Sequence, residues 1–100
     1  MMKTQKEIID FLQEHKDFLQ KKYMIERIAL FGSFARNEQH DDSDVDLLIE
    51  LKSDVSNIHD LKEGLREYLT NSFERSVDLA RKKYLKPYAK EQILKDLLYV

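Results

Sequence analysis

One hundred residues, 42% apolar and 36% charged, make one small globular domain with a core of its own, expected to span residues 1–100. No apolar run approaches the ~18 residues a membrane span needs, the N-terminus lacks a signal-peptide core, and the absence of cysteine excludes disulfides and thiolate zinc sites; a cytoplasmic setting is expected. A net charge of −2 argues against direct nucleic-acid binding, which asks for a basic surface.

Thr4 and Glu7 form a capping-box pattern, and Ile8, Phe11, Leu12, His15, Phe18 and Leu19 recur at helical spacing; together they predict a first helix over residues 4–22. Residues 26–31 read as a first strand, 33–38 as a short helix and 39–43 as a polar loop. Residues 44–51 read as a second strand, with Val45, Leu47 and Ile49 on its buried face. After a turn over 52–57, Ile58, Leu61, Leu65, Tyr68 and Leu69 mark another helix, with Gly64 a weak spot inside it. Residues 73–81 read as a third strand. Pro87 suits the first turn of a last helix carrying Tyr88, Ile93, Leu94, Leu97 and Leu98. The expected class is α+β, a small mixed sheet flanked by helices in the order α-β-α-β-α-β-α.

The chemistry concentrates between Gly32 and Leu47. Gly32-Ser33 lies where a strand gives way to a helix start, a place where backbone N–H groups and a hydroxyl hold a phosphate. Ser33 as a plain N-cap of the short helix is compatible with that use. Asp44 and Asp46 stand two residues apart in strand-forming sequence, so they project to one face about 7 Å apart along the backbone. Such a carboxylate pair suits a hard divalent cation such as Mg2+. An unpaired carboxylate inside an apolar strand is otherwise costly, which singles out Asp46; Asp44 can also be read as a strand-start cap. Asp78, between Val77 and Leu79, is a third carboxylate that a neighbouring strand can bring to the pair, or else an ordinary strand-edge charge. Three carboxylates beside a phosphate turn fit two-metal phosphoryl transfer from a nucleoside triphosphate, with Asp78 completing the second metal site. For Arg36, a phosphate contact and a structural pairing with Asp44 or Glu38 both stand open. The acidic loop 38–42 reads as solvated, His15 as a packed core histidine on the apolar face of the first helix, His40 and His59 as surface groups. Lys82, Lys83 and Lys86 form a small basic patch that is either solvated or steers a triphosphate or a partner.

Gly32-Ser33-Phe34-Ala35-Arg36 followed by Ser43-Asp44-Val45-Asp46-Leu47 resembles the Gly-Ser…Asp-x-Asp signature of the polymerase-beta-type nucleotidyltransferases. The chain length and the ending Leu85-Lys86-Pro87-Tyr88…Tyr99-Val100 resemble the minimal nucleotidyltransferases, the MNT family. The resemblance implies a nucleotidyltransferase fold, two Mg2+ ions held by Asp44, Asp46 and Asp78, and ATP at Gly32, Ser33 and Arg36. It further implies an antitoxin that transfers AMP to a tyrosine of a helical HEPN ribonuclease toxin. Two rivals are carried with it: a toxin-blocking binding module without catalysis, and a transferase acting on a small-molecule hydroxyl. Asn37 stands where the family often has glycine; asparagine accepts a left-handed backbone, so the turn is expected to survive. With no second domain expected to hold the acceptor, a separate protein is expected to complete the site.

Overall fold

The computed structural model describes residues 1–100. Helix α1 (Gln5–Glu14) opens with the expected capping box: Thr4 accepts from the Glu7 N–H, and the Glu7 side chain accepts from the Thr4 N–H. The expected helix over 4–22 is two helices, however, because the chain bends at His15 and resumes as α2 (Lys16–Lys22). The His15 ring stacks on Phe11 at 4.0 Å, and its Nδ1 lies 2.9 Å from the Phe11 carbonyl oxygen. A side chain turned back onto its own helix backbone competes with helix continuation.

Strand β1 (Ile25–Phe31) runs into α3 (Gly32–Ala35), a single turn that begins one residue earlier and ends three earlier than expected. Asn37 terminates it with φ 57°, the left-handed value anticipated for that position. Strand β2 (Val45–Leu51) returns antiparallel to β1. Helix α4 (Ile58–Phe73) then crosses over to β3 (Val77–Arg81), which lies parallel to β2. The third strand thus starts four residues later than expected; Phe73 is fully buried in the last turn of α4. A 3-10 turn over Lys82–Tyr84 leads to α5 (Pro87–Lys95).

The last helix is shorter than the apolar spacing suggests. It stops at Asp96, and Leu98–Tyr99 form a fourth strand, β4, antiparallel to Ala29–Leu30 of β1. Leu97 and Leu98 therefore belong to the chain's exit along the sheet edge. The sheet order is β3-β2-β1-β4, a mixed four-stranded sheet, and the α+β class holds.

One sheet face is covered by α1, α2 and α4. Ile8, Leu12, Leu19, Leu65, Leu69 and Phe73 pack there on Ile28, Leu30, Val45, Leu47, Ile49, Val77 and Leu79. The large apolar residues of this layer supply most of the stabilisation, about 1.5–3 kcal/mol for each fully buried side chain. The other face starts from Ala29 and Leu48, also buried, and carries Asp46 and Asp78 by strand alternation. Helix packing on the first face thus leaves the second face free to carry polar groups.

Candidate nucleotide site

The register of the parallel pair decides the site. Asp46 of β2 stands directly opposite Asp78 of β3, and Phe31, the last residue of β1, stands opposite Asp46 on the other side. Neighbouring strands lie about 4.8 Å apart, so the two carboxylates project side by side from one face. Asp44 lies just before β2, one residue outside the strand expected to contain it, and its side chain is exposed. Its charge is nonetheless felt at Asp46. Partial burial, then the charges of Asp78 and Asp44, push the Asp46 carboxyl up to about 6; Arg36 offsets this in part. The structure sets Asp46 and Asp78 side by side and leaves Asp44 at the edge of the pair, near enough for its charge to act on Asp46.

Gly32 holds the turn against this cluster. Its φ of +75° is a conformation that L side chains resist, and a β-carbon there would collide with the Asp46 carboxylate. Phe31 is the N-cap of α3 and makes no side-chain cap bond, so Ser33 sits inside the turn and not at its cap. The N–H groups of such a first turn lack helical partners. Gln5 anchors the turn from below, its Nε2 donating to the carbonyls of Phe34 at 3.1 Å and Ala35 at 2.9 Å.

Arg36 is engaged. Its Nη1 donates to Asp96 at 2.9 Å and its Nε to Glu38 at 3.1 Å. The structural pairing expected for it is thus found with Glu38 and, in addition, with Asp96 at the end of α5; no pairing with Asp44 forms.

Arg75 is the residue that sequence reasoning missed. Its guanidinium is buried, lies 5.1 Å from the Phe34 ring centroid, and donates to four backbone carbonyls. Nη1 reaches His40, Asp41 and Ser43 at 3.2, 2.9 and 2.8 Å, and Nε reaches Met2 at 3.0 Å. Ser43, also buried, closes the same loop by accepting the His40 N–H at 2.9 Å. The Val45 N–H then donates to the Ser76 carbonyl at 2.9 Å. The segment that delivers Asp44 is thereby fixed at both ends. In the sequence, Arg75 is one of five arginines, and no spacing marks it.

His40, Asp41 and Asp42 are solvent-facing, as expected for a hydrated loop. No three carboxylates in the structure stand close enough together to hold a metal ion by themselves; Asp46 and Asp78 are the paired groups, with Asp44 just outside the strand. Their donor set is nonetheless all carboxylate oxygen, clustered at the expense of a raised Asp46 carboxyl. That suits Mg2+, which is held by one or two carboxylates together with substrate phosphates and not by an all-protein cage.

The chain is similar to known proteins along nearly its whole length. The family model described as a nucleotidyltransferase domain matches residues 12–100. A Methanocaldococcus jannaschii protein, to which protein adenylyltransferase activity is ascribed, is 42% identical over 100 residues, covering 99% of this chain and 100% of its own. The protein adenylyltransferase MntA of Thermococcus cleftensis is 34% identical over 99 residues, covering 99% of this chain and 98% of its own. A solved structure ascribed to a minimal nucleotidyltransferase superposes with a TM-score of 0.77 at 26% identity, covering 96% of this chain and 95% of that one. The structure of a toxin-antitoxin with AMP-PNP shares the fold at a TM-score of 0.68 and 21% identity, over 87% of this chain and 70% of that one. A nucleotidyltransferase model that matches residues 12–100 and relatives above 30% identity along nearly the whole chain settle the kinship: the chain belongs to the nucleotidyltransferase-domain family, among its minimal, MntA-like members, and is a nucleotidyltransferase.

Proposed function

We propose that this chain is a Mg2+-dependent protein adenylyltransferase that acts as an antitoxin, moving AMP from ATP to a tyrosine of a HEPN-type ribonuclease toxin. The observation that carries the reading is the side-by-side register of Asp46 and Asp78 next to the Gly32 turn. The relatives named for protein adenylyl transfer, and the toxin-antitoxin structures that share the fold, supply the acceptor class.

Asp46, with Asp44 and Asp78, would hold the metal. Bound Mg2+ supplies charge neutralisation on the triphosphate and lowers the pKa of an attacking hydroxyl. The turn at Gly32 and Ser33 offers its free N–H groups to the phosphates. A phenolic oxygen attacks the α-phosphorus, the new O–P bond forms, and the bond from the α-phosphorus to the bridging oxygen breaks. Pyrophosphate leaves, and the phenolic proton passes to Asp78 and on to water. The carboxylates face solvent on one side, so a docked acceptor also serves to exclude water as a competing nucleophile.

The test is incubation of the purified chain with Mg2+ and ATP labelled at the α-phosphate, with and without the product of the neighbouring gene. The expected result is one AMP on a tyrosine of that protein, dependent on Asp46. A neighbour that binds tightly, never gains AMP, and is still neutralised by Asp46→Asn would replace this reading with that of a blocking module.

A further inference from the structure

The stretch Arg81-Lys82-Lys83-Tyr84-Leu85-Lys86-Pro87-Tyr88-Ala89-Lys90 departs from the rest of the chain. It holds five of the 17 basic residues and none of the 19 acidic ones. Elsewhere Lys6, Arg27, Arg36 and Arg66 find carboxylates, but none of these five cations makes an ion pair within the chain. Arg81 and Lys83 lie instead over the Tyr84 ring, at 4.9 and 5.7 Å from its centroid. Tyr84 and Tyr88 are 66% and 78% exposed, the two most exposed large apolar side chains in the protein. Helix α5, which carries Tyr88, buries none of its residues. Between it and the ends of β2 and β3 lies an open groove of about 370 Å3, whose walls include Arg81, Lys82, Lys83 and Lys90 around Glu50.

The groove lies at the far ends of β2 and β3, where Ile49, Glu50 and Leu51 meet Arg81 and Lys82, and its Glu50 and Lys82 walls continue the face that carries the aspartates. Asp46, Leu48 and Glu50 alternate onto one face of β2, and Asp78 and Ala80 continue onto Lys82 beside them. At about 3.3 Å per residue, the groove begins roughly 10–13 Å from the carboxylates. A stable protein interface covers about 800 Å2 per partner, a patch on the order of 30 Å across. A folded acceptor whose footprint is centred on Asp46 and Asp78 therefore also reaches the basic groove. Covering unpaired cations without counter-charges is costly, and the partner's own acids remove that cost. Exposed tyrosines flanked by cations fit the same use, since aromatic residues anchor protein interfaces. A phosphate backbone fits less well, because Asp41, Asp42, Asp44 and Asp78 would repel it at the near end.

Resting on the adenylyltransferase reading above, we infer that the Arg81–Lys90 segment is the docking surface for the acceptor protein. It selects a partner that presents acidic side chains about 10 Å from the hydroxyl it offers, with Tyr84 and Tyr88 packed against it. The probe is the random copolymer poly(Glu,Tyr), set against poly(Lys,Tyr) and single-stranded poly(U), with the full chain, Mg2+ and α-labelled ATP. Binding is followed by fluorescence anisotropy and transfer by label incorporation. Poly(Glu,Tyr) is expected to bind at least about tenfold more tightly than poly(Lys,Tyr), and to weaken as salt rises. The variant K82E/K83E/K90E should lose about tenfold of that affinity and keep its MgATP affinity, while K16E/K21E/K22E on α2, of equal charge change, keeps both. Equal affinity for the two copolymers, an unchanged K82E/K83E/K90E variant, or tighter binding of poly(U) would overturn the docking surface. Selective, variant-sensitive binding without label would uphold docking and count against tyrosine adenylylation; label without selectivity would do the reverse.

Discussion

A β-carbon on residue 32 would collide with the Asp46 carboxylate and stand 3.1 Å from its Cγ, so the glycine turn and the aspartate are shaped to each other. Two separate demands converge on this glycine, a φ of +75° and the absence of a side chain. Gly32→Ala is therefore expected to destabilise the fold by about 2 kcal/mol, from left-handed strain plus displacement of Asp46. In a domain of this size that is a fall in Tm of roughly 10 °C. MgATP affinity should fall with it. Thermal unfolding and calorimetry on the same sample check both; an unchanged Tm would mean the turn re-forms without the positive φ.

Asp46 makes a pH prediction. Its folded-state carboxyl is raised to about 6 from an ordinary value of 3.8, so the folded state holds a proton that the unfolded state has released. Stability from this group is present below pH 4 and lost as pH rises through 6, leaving metal-free protein less stable at neutral pH. Asp46→Asn removes that dependence. The variant should match wild type near pH 4 and exceed it by about 2 kcal/mol at pH 7.5, the full linkage being reduced by solvent at the open site. Mg2+ should raise the wild-type Tm and leave the variant's unmoved. Transfer should be lost although the fold is kept. Melting curves across pH 4–8, with and without Mg2+, check the sign; a destabilised variant at neutral pH would make Asp46 a structural residue.

Much of this was legible in the sequence because it rests on local rules. Alternation placed Val45, Leu47 and Ile49 in the core and left Asp46 on the opposite face. The capping box at Thr4 and the left-handed Asn37 are likewise local signals. What was not legible depends on partners distant in sequence. Leu97 and Leu98 continue a helical period, yet Asp96 meets Arg36, sixty residues away, and the chain leaves the helix to pair with β1. The bend at His15, whose ring folds back onto Phe11, is likewise a feature that no periodicity records. Register is the intermediate case. The sequence marks Asp78 as a strand residue, but only the parallel pairing sets it opposite Asp46.

Asn37 offers a cheap check on the turn. Its φ of 57° is tolerated by asparagine and glycine and resisted by branched side chains. Asn37→Gly should leave stability within about 0.5 kcal/mol of wild type, while Asn37→Val should cost about 1–2 kcal/mol. Equal melting temperatures for the two variants would show that residue 37 is not held in the left-handed region in solution.

Arg75 carries the last prediction. It is the one buried guanidinium, and it spends its donors on the carbonyls of Met2, His40, Asp41 and Ser43 while lying against Phe34. Hydrogen bonds to a charged donor contribute about 1.5–3 kcal/mol each in favourable cases, and several carbonyls left bare in a buried site add their own penalty. Arg75→Met keeps the volume and the contact with Phe34 but removes every donor, so it should destabilise by about 3 kcal/mol or more. Arg75→Lys restores one charge without the planar fork, and should recover only part of the loss because one ammonium cannot reach carbonyls spread over that arc. The damage should concentrate in the 40–43 loop and hence at Asp44. Hydrogen exchange at the Ser43 and Val45 amides should speed up in Arg75→Lys while the amides of α1 and α4 stay protected. Transfer rate at saturating MgATP should fall further than the stability change alone would dictate, because the loop that delivers Asp44 is what has loosened. Uniform loss of protection across the protein would show that Arg75 serves the fold as a whole and has no particular hold on the site.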